Sequence, residues 1–335
     1  MAPKLFLTGA TGYIGGEALY FLTQAHPEYE YTLLVRDEER GKLVSRQYPD
    51  LRLVYGTLDD DDVIAKEAAA AEVVIHTADS SDNMPSAHAI AKGLSAGHTD
   101  AKPGYWIHVC GTGILQWYDQ RHQRFGQAPL PEQTYHDIDD IERIVTLPHE
   151  ANHRDVEEVV LAANEAGGIR TLIVSPPTIY GRGRGPVNQR SAQVPRIAAS
   201  TLEHNFAPIQ APGLTEWDHV HIHDLGAFFV LATEAALDPA RNSDANIFGP
   251  RAYFFLASGS HRWSDVARWV AEEAARQGFI SAAVTKEVDD PRLGTNSKGI
   301  AARARKFLGW EPRGRGLREE IAETVRVEAM RMGRA

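Results

Sequence analysis

Cysteine is nearly absent. Cys110 is the only one among 335 residues, so no intrachain disulfide can form. It ends the apolar run Trp106-Ile107-His108-Val109-Cys110, a setting that suits a buried structural thiol. Long apolar runs are missing too. No stretch approaches the roughly 20 residues of a membrane span, and Lys4 to Thr8 is too short for a signal-peptide core. Positive charge is in deficit, with 35 Lys and Arg against 45 Asp and Glu and a net charge of −10. That argues against a nucleic-acid backbone or an anionic membrane as the main partner. Internal repeats and low-complexity segments are also lacking. What remains is an ordinary globular composition, 43% hydrophobic and 24% charged. The expectation is a chain in a reducing compartment, most simply the cytoplasm, that acts on a small-molecule substrate.

Strand-like and helix-like segments alternate through the first half. Strands are expected at Lys4–Thr8, Tyr31–Val35, Leu51–Tyr55, Val73–His76, Tyr105–Val109 and Thr171–Val174. Helices are expected at Ile14–Gln24, about Asp59–Ala71, Pro85–Ala96 and Pro148–Ala166, the last opened by Pro and closed by Gly167-Gly168. This rhythm predicts an α/β fold: a Rossmann-type, doubly wound parallel sheet with helices on both faces. After Tyr180 the pattern changes. Gly181-Arg-Gly-Arg-Gly185 is a turn-rich basic loop, and Thr201–Gly213 reads as irregular. A strand at His219–Ile222 and a helix at Leu225–Ala236 read as a return to the core, and Trp263–Gln277 and Leu317–Met330 as amphipathic helices. The expected division is a dinucleotide-binding domain over 1–180, with core elements returning near 216–248, and a smaller substrate lobe over 181–335.

The strongest site signal is Thr8-Gly9-Ala10-Thr11-Gly12-Tyr13-Ile14-Gly15, which follows the first strand and opens the first helix. Gly9 permits the tight turn, Gly12 lets the backbone approach a pyrophosphate, and Gly15 lets the helix sit close to the sheet. The helix start then offers free N–H groups and a positive dipole end. The second strand ends at Val35-Arg36, followed by Asp37. A guanidinium can pair with a 2′-phosphate by two parallel bonds, which favours NADP. The other reading, Arg36 in solvent and Asp37 on the ribose, leaves NAD open.

The chain resembles the extended short-chain dehydrogenase/reductase family, in its epimerase/dehydratase-like branch, over nearly its whole length. The TGATGYIG run carries most of this. Val74-Ile75-His76-Thr77-Ala78 resembles the family's VIHLAA segment, which implies that Thr77 and Ala78 line the cofactor. Ser175-Pro176-Pro177-Thr178-Ile179-Tyr180-Gly181 resembles its RPPxVYG turn, whose backbone, at Pro176, would face the nicotinamide. His221-Ile-His-Asp224 and Leu308-Gly309-Trp310-Glu311-Pro312 resemble its HVDD and LGWxP segments. The family's catalytic set is a Ser or Thr with a YxxxK pair. Thr112, just past the fifth strand, fills the first place. YxxxK is absent. Anchoring on Glu157 puts His149 at the tyrosine place and His153 at the lysine place. On one helix, His149 would donate the proton and His153, four residues on, would bond the ribose. Tyr118, Tyr135 and Tyr180 are other candidate donors. Family members often dimerise through the helices expected at 85–96 and 148–166, so a homodimer is also implied.

His149-Glu150-Ala151-Asn152-His153 is a literal HExxH, the helical zinc motif of hydrolases, but the longer HExxHxxGxxH form fails at Val156. His219, His221 and His223 alternate as on one strand face. Neither is read as a metal site. The expected function is an NADP-dependent oxidoreductase reducing a small carbonyl, imine or enone compound. The alternatives are an NAD(P)-binding sensor without turnover, and an epimerase or lyase.

Overall fold

The computed structural model describes residues 2–334. Its strands and helices are numbered in chain order. The main sheet contains β1 (Lys4–Thr8), β2 (Glu30–Val35), β3 (Arg52–Tyr55), β4 (Val73–His76), β5 (Gly104–Val109), β7 (Ile169–Ser175) and β11 (Tyr253–Phe255). Their order is β11-β7-β5-β4-β1-β2-β3, and every pairing is parallel. The strands are nearly continuous apolar runs because both faces are covered. Alternate residues part to the two faces. Leu5, Leu7, Val73, Ile75 and Ile107 join α1 (Tyr13–Ala25) and α9 (Ile222–Leu237) in one core. Phe6, Val74 and Trp106 join α3 (Asp61–Ala70), α4 (Met84–Gly97) and α7 (Arg154–Ala163) in the other. Two short helices, α5 (Trp117–His122) and α6 (Ile141–Val145), lie on the connection from β5 to α7. The order reverses between β1 and β4, where a crevice opens at the strands' carboxyl ends.

Sequence and structure part most clearly at three places, besides the unexpected helix Glu38–Gln47. The expected helix 148–166 is α7, which begins only at Arg154, and a 3-10 turn, Asn164–Ala166, follows it. Residues 148–153 form tight turns, with Ala151 N–H donating to Pro148 O and His153 left-handed at φ 70°. The proline that reads as a helix start opens a turn instead. The expected strand at His219–Ile222 is β10 (Glu216–His221), which lies in a separate sheet between β8 (Thr178–Tyr180) and β12 (Gly259–Arg262). The main sheet's seventh strand is instead Tyr253–Phe255. Finally, α8 (Gln193–His204) and β9 (Ala207–Gln210) run through the segment read as irregular. Here β9 pairs with β13 (Thr285–Val288), and a second short pair joins β6 (Thr134–His136) to β14 (Lys298–Ile300). With α10 (Trp263–Arg276) and α11 (Leu317–Arg331), α8 builds the core of a second lobe from Val194, Ile197, Val266, Val270, Ile321 and Val325.

Candidate functional site

The glycine turn forms a cradle at the end of β1. Gly9 sits at φ 84°, and Gly12 N–H donates to its carbonyl at 2.8 Å. Gly12 is the N-cap of α1 and has no side chain to occupy the helix's first amides. A Cβ on Gly12 would stand 3.1 Å from Gly9 O, and one on Gly9 would stand 2.9 Å from Ala78 N. Thr77 clamps the turn from β4. Its Oγ1 donates to Thr8 O at 2.8 Å, and its N–H donates to Thr8 Oγ1 at 3.2 Å. Thr8 Oγ1 in turn meets His76 Nδ1 at 2.7 Å. Burial pushes the His76 imidazole down to about 3. It is a neutral hydrogen-bond partner here.

Over this turn lies a cleft of about 370 Å³, lined among others by Gly9, Thr11, Gly12, Thr77, Ala78 and Asp79. Of the expected cofactor residues, Tyr13, Ile14, Gly15, His153 and Pro176 do not line it. Gly15 supports it from below. Tyr13 donates its hydroxyl to Gly181 O at 2.7 Å, and Ile14 packs on the core. At the other end of the cleft stand Arg36 and Arg40. Asp37 is engaged elsewhere. It caps α2 (Glu38–Gln47), accepting from Arg40 N–H at 2.9 Å. Its other oxygen lies 3.6 Å from the Arg40 guanidinium. Asp37 is not among the residues that line the cleft.

The basic loop 181–191 is a strap docked on α1. Arg184 folds onto the buried Glu17, with Nε 2.9 Å from Oε1 and the backbone N–H 2.7 Å from Oε2. Its guanidinium also lies over Tyr20, 4.2 Å from the ring centre. Gly185 packs so closely on Gly16 that a Cβ on the latter would stand 2.9 Å from its Cα. Asn188 N–H then donates to Thr11 O at 3.2 Å, and Val187 and Asn188 become walls of the cleft.

Beyond β5 the Thr112 N–H donates to Pro176 O at 3.1 Å, which joins two of the expected site residues. Thr112 is 3% exposed, and its hydroxyl has no partner among the described residues. His153 faces the next residue: a Cβ on Gly113 would stand 2.8 Å from its Nε2. His153 Nδ1 lies 2.6 Å from Asp82 Oδ1. His149 is elsewhere. It is 75% exposed and pairs with Glu158 at 3.1 Å. The two histidines therefore do not share a helix face, because the chain between them turns. The same turn undoes the HExxH geometry, and Glu150 bonds Arg121. His219 and His221 are on β10, but His223 belongs to α9, so the three do not form one strand face.

The candidate tyrosines are occupied or aside. Tyr180 donates to Arg315 O at 2.8 Å, Tyr135 OH meets Trp117 Nε1 at 3.2 Å, and Tyr118 stacks beside His122. Behind Thr112 lies a buried polar chain. Ser175 Oγ donates to Tyr253 OH at 2.7 Å, and Tyr253 OH donates to Glu157 Oε1 at 2.6 Å. Burial raises the Glu157 carboxyl and pushes the neighbouring Cys110 thiol well up.

The sequence profile of an NAD(P)H-binding family matches residues 9–207. The chain is 33% identical to the oxidase ucsJ of an Acremonium species over 350 aligned positions, 99% of each chain. It is 24% identical to the 3 beta-hydroxysteroid dehydrogenase/Delta 5→4-isomerase of Mycobacterium tuberculosis, across 92% of this chain and 86% of that one. Among solved structures it is similar to DesIV of Streptomyces venezuelae, a dTDP-glucose 4,6-dehydratase with NAD and TYD bound, at TM-score 0.68 and 16% identity over 98% of both chains. The chain belongs to this NAD(P)H-binding family, and its fold is that of the epimerase/dehydratase-like structures it resembles. It is an NAD(P)-dependent enzyme.

Several residues of the site escape sequence reasoning. Arg40 had a signal, being one helical turn beyond Arg36. Asp82 had a weaker one, the polar turn Asp79-Ser-Ser-Asp-Asn83 after β4. Glu17, Val187 and Asn188 had none, since only the folded strap brings them to the cleft.

Proposed function

We propose that the protein is an NADP-dependent oxidoreductase that reduces a small carbonyl, imine or enone compound. The observation that carries this reading is the pair of arginines, Arg36 and Arg40, lining the same cleft as the glycine cradle. The cradle fits a dinucleotide: side chains are missing at the positions where a diphosphate needs bare amides. The two guanidiniums fit a 2′-phosphate, and Asp37, committed to its cap, does not compete. The bound coenzyme would supply a hydride.

The chain's own residues do the rest. Amides at the start of α1 hold the diphosphate. Thr112 Oγ1, lacking an internal partner, donates to the substrate oxygen and fixes its orientation. Thr178 Oγ1, buried and also without a partner, follows Pro176-Pro177 and adds polar capacity on that turn. The strap and the lobe of α8, α10 and α11 exclude water. A relative named as an oxidase supports redox turnover.

The test is direct. Purified protein is titrated with NADPH by fluorescence, then assayed for NADPH loss with panels of aldehydes, ketones, imines and enones. The expected result is tight binding of NADPH over NADH and substrate-dependent oxidation. Binding without turnover across the panels would favour a sensor instead.

A further inference from the structure

The family's tyrosine and lysine are missing from this chain; of the candidate tyrosines, Tyr180 spends its hydroxyl proton on Arg315 O, and Tyr135, which accepts from Trp117 Nε1, does not line the coenzyme cleft. Beside Thr112 stands another proton-bearing group. We infer that His153 and Asp82 form a proton-transfer dyad, in which Nε2 of His153 delivers the proton to the substrate oxygen held by Thr112. This rests on the reductase reading above and adds the residue that completes its reaction.

Three observations converge. First, the Nδ1 of His153 lies 2.6 Å from Asp82 Oδ1. A carboxylate only accepts, so Nδ1 carries the hydrogen and donates. That fixes the ring's orientation. Second, Nε2 has no hydrogen-bond partner among the described residues and sits over Gly113. A Cβ there would stand 2.8 Å away, so only glycine leaves the ring its place. The side chain is 21% exposed, open enough to meet a substrate and recover a proton from water. Third, the geometry is held against backbone preference. His153 (φ 70°) and Asp79 (φ 45°), which begins the turn carrying Asp82, are two of four non-glycine residues with positive φ among the described residues. Asp79 O accepts from Asp82 N–H at 3.1 Å, and Asp79 lines the coenzyme cleft. Strain of this kind gathers at functional sites.

The step balances. The substrate's carbonyl carbon accepts a hydride, two electrons and one proton, from the reduced nicotinamide as its C–O π bond breaks. The oxygen takes a proton from Nε2: one N–H bond breaks and one O–H bond forms. The substrate becomes an alcohol, the coenzyme is oxidised, and the neutral imidazole is recharged from solvent. Asp82 is the positioning residue. It accepts from Nδ1 and passes no proton to the substrate itself.

The test uses the full chain and two variants. Asn tolerates the left-handed backbone, so His153→Asn preserves the fold. It is expected to lower kcat at least 100-fold, the range of general acid catalysis, with the NADPH Kd within about threefold of wild type. Asp82→Asn is expected to lower kcat about 10-fold with KM little changed. A second readout needs no turnover: proton NMR of the enzyme without substrate. A downfield Nδ1–H resonance, present in wild type, is expected to vanish in both variants. Wild-type kcat in His153→Asn, or a downfield signal that survives Asp82→Asn, overturns the dyad while the reductase reading stands. A wild-type enzyme that reduces no carbonyl compound overturns both.

Discussion

Gly15 lies against the carbonyl group of Gly9, so close that a Cβ on Gly15 would stand 2.6 Å from that carbonyl carbon. Neither partner can yield, since both are backbone and Thr77 backs them. Gly15→Ala is therefore expected to destabilise the fold by about 1–3 kcal/mol, the usual range for overpacking. It should also spread the cradle and weaken NADPH binding at least tenfold. Thermal melting and fluorescence titration together check this; an alanine variant that binds like wild type would show that the close approach is not what shapes the cleft.

Coenzyme choice should lie with two side chains. Each charge-assisted contact to a phosphate contributes about 1.5–3 kcal/mol. Arg36→Ala and Arg40→Ala should each raise the NADP Kd roughly 10- to 100-fold while moving the NAD Kd less than about threefold. The double variant should prefer NAD. Calorimetry with both coenzymes decides, and equal losses for the two would refute the 2′-phosphate assignment.

The strap depends on one buried carboxylate. Glu17→Gln leaves Arg184 without its counter-charge, and removing one member of a buried pair costs about 3 kcal/mol or more. Arg184 is 34% exposed, so the loss should fall at the low end. The Tm should drop, and NADPH should dissociate faster as Val187 and Asn188 loosen. Arg184→Gln added to Glu17→Gln should cost less than the two single changes summed. Strict additivity would mean that the pair does not hold the strap.

Acid should unfold this protein earlier than its carboxylates alone predict. Burial holds His76 near 3 and His219 and His221 near 4, and it places His108 and His261 well below their ordinary value. Each takes up a proton more readily unfolded than folded. The stability they contribute is full above about pH 6.5, the unfolded value, and is lost as pH falls toward 4. A melting series from pH 8 to pH 4 should show Tm declining from about pH 6.5 downward. A flat Tm between pH 7 and pH 4.5 would contradict the neutral, buried state of these rings.

The sheet was legible because buried parallel strands are apolar runs. Lys4–Thr8 and Val73–His76 are read to the residue. The glycine turn was legible because its spacing carries a mechanism. Tyr253–Phe255 was missed, although it is as apolar as its neighbours, because a three-residue strand gives no periodicity to read. The stretch around His149 and His153 misled for a different reason. Pro148 and the acids after it imitate a helix start, yet the helix waits for Arg154, and the left-handed His153 between them is invisible in sequence. His149 and His153 therefore part company, and His153 acquires Asp82, 71 residues away in the chain. Arg40 reaches the cleft beside Arg36 only because α2 starts at Glu38, a helix whose polar sequence gives no apolar period to read.

Cys110 is 7% exposed and its thiol is held protonated by burial. With no other sulfhydryl in the chain, the folded protein is expected to resist maleimide labelling, which a thiol-labelling assay checks. Val187→Cys would supply the only handle such a reagent finds, so a dye there can report the strap's opening with no background labelling.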